Sequence, residues 1–262
     1  MRDVNPLALD GLYAELRAGG ASEHKAQKVH RLLSAAFNRA VRYGWLAANP
    51  CIHATKPKVT STEIEPPPPE WVRKIIAAAE GVNDDLAVCL RLAAATGARR
   101  GEVVALKWSD FSGGRLTVRR SLVESEGRLI ERRTKTGTKG HRTIAVDADT
   151  VEAVEALRIR QARLADEHGL PDPVYVFSLD ADVSPWRPDY LSLAFGRLSG
   201  REFRLHDLRH YHATQLIAAG VPVTTVSKRL GHTSTSVTLN TYGHWLPEQD
   251  REAAGVMARL LA

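Results

Sequence analysis

Apolar residues three and four apart run through residues 22 to 46. There Val29, Leu33, Ala36, Phe37 and Ala40 form one stripe behind Ser22, whose hydroxyl suits a helix cap. That spacing predicts a long N-terminal helix. Helical spacing returns from Pro69 and Glu70 to about Glu80 and again from Asp84 to Thr96, with proline and acids at the expected starts. Gly97 interrupts the run ATGARRGEVVALKWSD before a short helix resumes. The period then drops to two. GRLTVRRSLVE, RLIERRTK and HRTIAVD, separated by Gly, Ser and Lys, predict a three-stranded antiparallel sheet. Helical patterns fill the rest, including LHDLRHYHATQL, VPVTTVSKRLGH closed by Gly231, and the tail PEQDREAAGVMARLLA, where Ala253, Met257, Leu260 and Leu261 share one side. The class is mainly α with a small three-stranded antiparallel β-sheet (α+β).

KPKVTSTEIEPPPPEW, residues 56 to 71, has five prolines and neither period, so it reads as an extended linker. It divides the chain into residues 1–58, a linker over 59–69, and residues 70–262. The first part holds nine Lys and Arg against four Asp and Glu, which places five of the net +6 charges there. Lys25, Lys28, Arg39 and Arg42 fall on one side of its predicted helix, away from the apolar stripe. A solvated face is the ordinary reading; a helix lying along a DNA backbone or in a groove is the functional one. Cys51 and Cys89 stand far apart without a metal-type spacing, so they read as packed thiols. Neither a signal peptide nor a membrane-length apolar run is present, which makes the expectation a cytoplasmic protein.

In LHDLRHYHATQL, residues 205–216, a helical period puts His206, Arg209, His210 and Ala213 on one face and Leu205, Leu208, Leu216 and Ala219 on the other. Histidines four apart resemble a zinc-binding pair, but Asp207 follows the first and Arg209 lies between them. A fixed positive charge beside a dication is unfavourable. A guanidinium beside an imidazole suits phosphate better, since one offers paired donors and the other can move a proton. Taken alone, the stretch leaves a phosphate grip, a metal pair and a structural helix face all standing.

Other stretches hold polar residues that a core does not need: TGARRGE, TKTGTKG, and LGH followed ten residues later by Tyr242. Singly, Arg99 reads as an ion-pair partner of Glu102, Lys135 as a hairpin tip, His232 as a helix cap and Tyr242 as a packed aromatic. Their order carries more. A TGxRxGE segment, a hairpin lysine, HxxRH, LGH and a tyrosine near the end, across residues 70 to 245, resemble the tyrosine recombinase family, the phage integrases and their relatives.

The resemblance implies the recombinase catalytic fold over 70–262, ending in a tail helix, behind an abbreviated helical core-type DNA-binding domain over 1–58. It implies site-specific cleavage and rejoining of DNA through a 3′-phosphotyrosine intermediate, of the phage integration and excision type, without metal or other cofactor. Arg99 and Arg209 match the family's phosphate clamp, His206 and His232 its two box positions, and Tyr242 its nucleophile. Lys135 matches the hairpin lysine that donates a proton to the leaving 5′ oxygen, with Lys139 as the competing position. The implied partners are double-stranded DNA bearing inverted half-sites, a homotetramer on two DNA sites and an accessory directionality factor, with no membrane. A non-catalytic DNA-binding regulator on the same fold is the rival.

The chemistry agrees with the residue types. Two arginines can stabilise the charge that gathers on a phosphodiester under attack. A tyrosine ester keeps the energy of the broken bond, so resealing needs no ATP, and no Walker-type loop is present. Tyr211 is nearer the HxxRH box but falls toward the packed side of its helix. Tyr242, in a short Thr- and Asn-bearing segment that could swing, is the better nucleophile.

Overall fold

The computed structural model describes residues 4–59, 65–133, 140–178, 184–246 and 250–261. Lys135 and Lys139 lie outside them. Two compact units divide the chain, Met1–Ile64 and Glu65–Ala262.

In the first unit, α1 (Pro6–Ala18) is capped by Asn5 and α2 (Glu23–Arg42) by Ser22, whose hydroxyl accepts from the Lys25 amide. Leu9, Tyr13, Cys51 and Ala54 form the core, with Leu33 and Phe37 of α2 packed on it. The buried stripe of α2 differs from its apolar pattern: Ala26, His30 and Ala40 are buried, Val29 is half-buried and Ala36 is exposed. His30 enters the core because the Tyr13 hydroxyl pairs with its Nδ1 at 2.9 Å, which satisfies two polar groups that burial would otherwise penalise.

The second unit begins with α3 (Pro69–Glu80) and α4 (Asp84–Thr96), then α5 (Arg100–Val103). Strands β1 (Phe111–Ser112), β2 (Arg115–Val118), β3 (Arg120–Ser125), β4 (Arg128–Arg133) and β5 (Arg142–Ala145) follow. The expected three-strand pairing is corrected here. GRLTVRRSLVE splits at Arg119 into β2 and β3, so the three-stranded antiparallel sheet is β1–β2–β5, while β3 and β4 form a separate hairpin. The hairpin turns at Glu126 and Gly127, both with positive φ, as a two-residue primed turn requires. In register, Leu116 faces Ile144 and Val118 faces Arg142, with the even-numbered positions of both strands buried.

Then come α6 (Ala148–Glu167), α7 (Pro188–Leu198), α8 (Asp207–Ala218), α9 (Val223–Leu230), α10 (Thr235–Tyr242) and α11 (Asp250–Leu261). The main core joins α3, α4, α5, the sheet, α6 and α7 around Leu90, Leu92, Leu116, Leu157 and Phe195. A smaller core of Ala213, Ile217, Val226, Leu230 and Tyr242 joins α8, α9 and α10. Cys51 and Cys89 are both buried free thiols. Among the described residues no helix is long and apolar enough to cross a membrane.

Candidate active site

Helix α8 has no solvated polar face, contrary to the amphipathic pattern. Asp207, Leu208, Arg209, His210, His212, Ala213, Thr214 and Ile217 are all buried, because α8 lies between α4 on one side and α9 and α10 on the other. Its polar side chains therefore find partners inside the protein. His212 pairs through Nδ1 with the Ala94 carbonyl at 2.9 Å, and burial, helped by Arg229, pulls its pKa down to about 3. That makes His212 a neutral structural group. Tyr211, half-buried, packs on the main core.

Arg209 is 3% exposed and donates to the carbonyls of Gly97 at 2.6 Å and Leu230 at 2.7 Å. Both carbonyls belong to helix ends closed by left-handed glycines: Gly97 caps α4 at φ 63° and Gly231 caps α9 at φ 65°. A Cβ on Gly97 would stand 2.8 Å from both His212 and Leu230, so close approach as well as φ demands glycine there. Burial, then the charge of Arg99, pulls Arg209 down to about 9, so it stays cationic at neutral pH.

Arg99, just before α5, is fixed by Glu102. The carboxylate accepts the Arg99 amide at 2.9 Å and its guanidinium at 3.0 Å, so the pairing expected for a merely structural Arg99 is present inside the site itself. Glu102 is 1% exposed and also binds Arg142 at 2.7 Å. Arg142, buried on the core face of β5, reaches further, to the carbonyls of Arg229 at 2.6 Å and Gly140 at 3.3 Å. One buried guanidinium thus joins α5, β5 and the end of α9, where Arg209 and His232 are also held. Burial alone would raise the Glu102 pKa, but Arg142 and Arg99 outweigh it and keep the carboxyl below its usual range.

His232 follows the α9 cap and pairs through Nδ1 with the Thr238 hydroxyl at 2.7 Å. His206 stands just before α8 with an edge open to solvent. Partial burial, with neighbouring positive charge, brings each down to about 4, His206 under His210 and Arg209, His232 under Arg209 and Arg99. Tyr242 is not on a loop. It ends α10, is 2% exposed within the small core, and its hydroxyl lies 2.8 Å from His210 Nδ1. Burial raises its pKa, while Arg209 and Arg99 oppose the rise, so the phenol lies within electrostatic reach of both guanidinium groups. The fold brings Arg99, His206, Arg209, His232 and Tyr242 together.

The N-terminal cations Lys25, Lys28, Arg39 and Arg42 are all exposed on α2. Arg39 hydrogen-bonds the Tyr43 hydroxyl and lies over that ring. One group, Arg142, stands outside the motifs, and His210 stands in HxxRH without a reading there as a partner of Tyr242. Arg142 sits at a core-facing position of the alternating strand HRTIAVD, where an arginine among apolar neighbours was the available signal. The His210 contact to Tyr242 spans 32 residues and left no local signal.

Residues 68–249 match the family model described as the phage integrase family. The chain is 30% identical over 276 aligned positions to a tyrosine recombinase XerC-like protein of Caldanaerobacter subterraneus subsp. tengcongensis, spanning 95% of this chain and 70% of that protein. It is 27% identical to the ICEBs1 integrase of Bacillus subtilis, spanning 92% and 67%. The Tn1549 transposon integrase in complex with transposon right end DNA matches with a TM-score of 0.79 at 20% identity, covering 99% of this chain and 86% of that one. A lambda integrase tetramer bound to a Holliday junction matches at 0.67 and 21%, covering 95% and 67%. The chain belongs to the phage integrase family, the tyrosine-type site-specific DNA recombinases.

Proposed function

We propose that the chain cleaves and rejoins duplex DNA through a 3′-phosphotyrosine bond to Tyr242, in integration and excision of a phage or related mobile element. Arg99 and Arg209 clamp the scissile phosphate, His206 and His232 hydrogen-bond its oxygens, and Lys135 protonates the leaving 5′ oxygen. The observation that carries this reading is a buried phenol whose hydroxyl is held by His210, next to Arg209 on α8, with the Arg99 and Arg209 guanidinium groups held in place before any ligand arrives. Such a site stabilises transition-state charge without reorganising.

Residues 1–58 act as the DNA-binding domain and 70–262 as the catalytic domain, with Lys25, Lys28, Arg39 and Arg42 on phosphates or groove edges. The substrate is double-stranded DNA with inverted half-sites, and the working form is a homotetramer on two sites, acting in the cytoplasm with an accessory directionality factor. The solved lambda integrase tetramer on a Holliday junction supports the assembly. So do Met257, Leu260 and Leu261, whose exposure in the single chain suits a tail helix that docks on a neighbouring subunit.

The test is covalent capture. A library of nicked duplexes with a randomised centre is incubated with the chain, and protein–DNA adducts that survive denaturation are mapped by mass spectrometry. An adduct on Tyr242, absent from Tyr242→Phe while DNA binding persists, is expected. An adduct elsewhere, or one surviving in Tyr242→Phe, refutes the assignment, and no adduct at all favours the regulator.

A further inference from the structure

The His210 imidazole is the one ring in contact with the Tyr242 hydroxyl among the described residues. Helix α8 fixes it from within the fold. The neighbouring Arg209 side chain is tied to two carbonyls, the His206 ring meets His210 edge-on at 4.9 Å, and the Tyr242 ring is wedged among Ala213, Ile217, Val226 and Leu230. An oxygen-bound proton is the better donor of the two partners, so the phenol donates and Nδ1 accepts, with the imidazole proton on Nε2. The 2.8 Å separation is within range for direct proton transfer.

From this geometry we infer that His210 is a catalytic residue of the recombination reaction, the group that takes the Tyr242 proton during cleavage and returns it during rejoining. The inference rests on the nucleophile assignment above. As the Tyr242 Oη–P bond forms, the phenolic proton passes to His210 Nδ1. The P–O5′ bond breaks with its electron pair leaving on the 5′ oxygen, which takes a proton from Lys135. In the return step the 5′ hydroxyl gives its proton back to Lys135 as its oxygen attacks phosphorus, the P–Oη bond breaks, and the imidazolium gives its proton back to the tyrosine.

The resting pair is suited to this sequence. Burial holds His210 below the ordinary histidine value, so at neutral pH it is uncharged with a lone pair on offer. Burial holds the phenol above its ordinary value, so it keeps its proton until a phosphorus atom begins to share its oxygen. The same arrangement separates labour along α8. His206 and Arg209 serve the phosphate, and the residue next to Arg209 serves the nucleophile.

The test uses the full chain and a nicked duplex recovered by covalent capture with the unaltered protein. His210→Asn places an oxygen near the Nδ1 position, which accepts the same hydrogen bond but cannot carry the proton. It should melt and bind DNA like the parent, and form the Tyr242 adduct at least ~10²-fold more slowly, the usual worth of a positioned acid or base. Replacing the bridging 5′ oxygen by sulfur gives a leaving group that needs no proton, so it repairs faults on the acid side and should leave the His210→Asn defect in place. On that sulfur substrate the unaltered protein should still slow in heavy water, since the remaining proton in flight is the tyrosine's. Adduct formation by His210→Asn at the parent rate, repair of its defect by sulfur, or no heavy-water effect in the parent would each overturn the inference. In all three cases Tyr242 would remain the nucleophile, whereas an adduct on another residue would remove the premise as well.

Discussion

Arg142 offers the sharpest measure of how the fold holds the site. In Arg142→Met the side-chain volume is roughly kept, but Glu102, 1% exposed, is left with Arg99 as its cation, and the carbonyls of Arg229 and Gly140 lose a donor. Removing one partner of a buried ion pair costs about 3–5 kcal/mol, because the other charge stays desolvated. For a unit of this size each kcal/mol lowers the melting temperature by about 2–4 °C, so a fall of roughly 6–20 °C is expected. Urea and thermal unfolding of the full chain measure it. In the double variant with Glu102→Gln the loss should be well below the sum of the single losses, since neither charge is then stranded. Below the melting range, adduct formation should also slow in Arg142→Met, because Arg99 is oriented through Glu102. Glu102 is held below its ordinary value, so its stabilisation is complete above pH 4.5 and is lost as pH falls through the lower folded-state value. Glu102→Gln should remove that part of the acid sensitivity. A cost below about 1 kcal/mol for Arg142→Met, the range of an exposed pair, would refute the argument.

Arg99→Ala and Arg209→Ala should each slow adduct formation by at least ~10²-fold, read in the capture assay, with parent-like rates showing that the phosphate is held elsewhere. Gly97→Ala should destabilise by about 1–3 kcal/mol in urea unfolding, since it combines a left-handed φ with a Cβ 2.8 Å from His212 and Leu230; a neutral result would show that α4 can shift freely. Changing Lys25 and Lys28 to Gln should weaken DNA binding and flatten the dependence of log K on log salt by about 0.9 per lost phosphate contact, and an unchanged slope would return the stripe to an ordinary solvated face.

What was legible in the sequence followed the range of the interaction responsible. The limits of α3 and α4, and the closure of α9 at Gly231, are set by prolines, acids and glycines within a turn of the helix end, and the chain pattern places them correctly. The sheet pairing differs from the pattern because a strand break at Arg119 leaves no mark in a period of two: the residues on both sides still alternate. His30 falls outside the apolar stripe of α2 because an imidazole counts as polar until a Tyr13 hydroxyl 17 residues away makes it a core residue. For the proposed site, motif order supplies Arg99, His206, Arg209, His232 and Tyr242. Among their partners, Glu102 and His210 stand within the motifs, whereas Arg142 of β5 and the carbonyls that hold Arg209 are recorded by no side-chain motif.

Those carbonyl partners explain why position 209 suits arginine. Arg209 has no carboxylate neighbour among the described ion pairs, and its guanidinium is held by two carbonyl dipoles at nearly full burial. Its desolvation is therefore incurred when the chain folds, not when DNA binds, and the depressed pKa shows how poorly the protein alone compensates the charge. An anionic phosphate oxygen entering beside it supplies what two dipoles do not. A lysine in its place would offer a compact ammonium that cannot span the Gly97 and Leu230 carbonyls while also facing a ligand, and its lower ordinary pKa would let the same burial strip the proton near neutrality. Arg209→Lys should thus fold, because the charge can be shed, yet cleave at least ~10²-fold more slowly, with the defect easing at lower pH as the lysine regains its proton. A pH-independent defect would show that fork geometry alone decides the position.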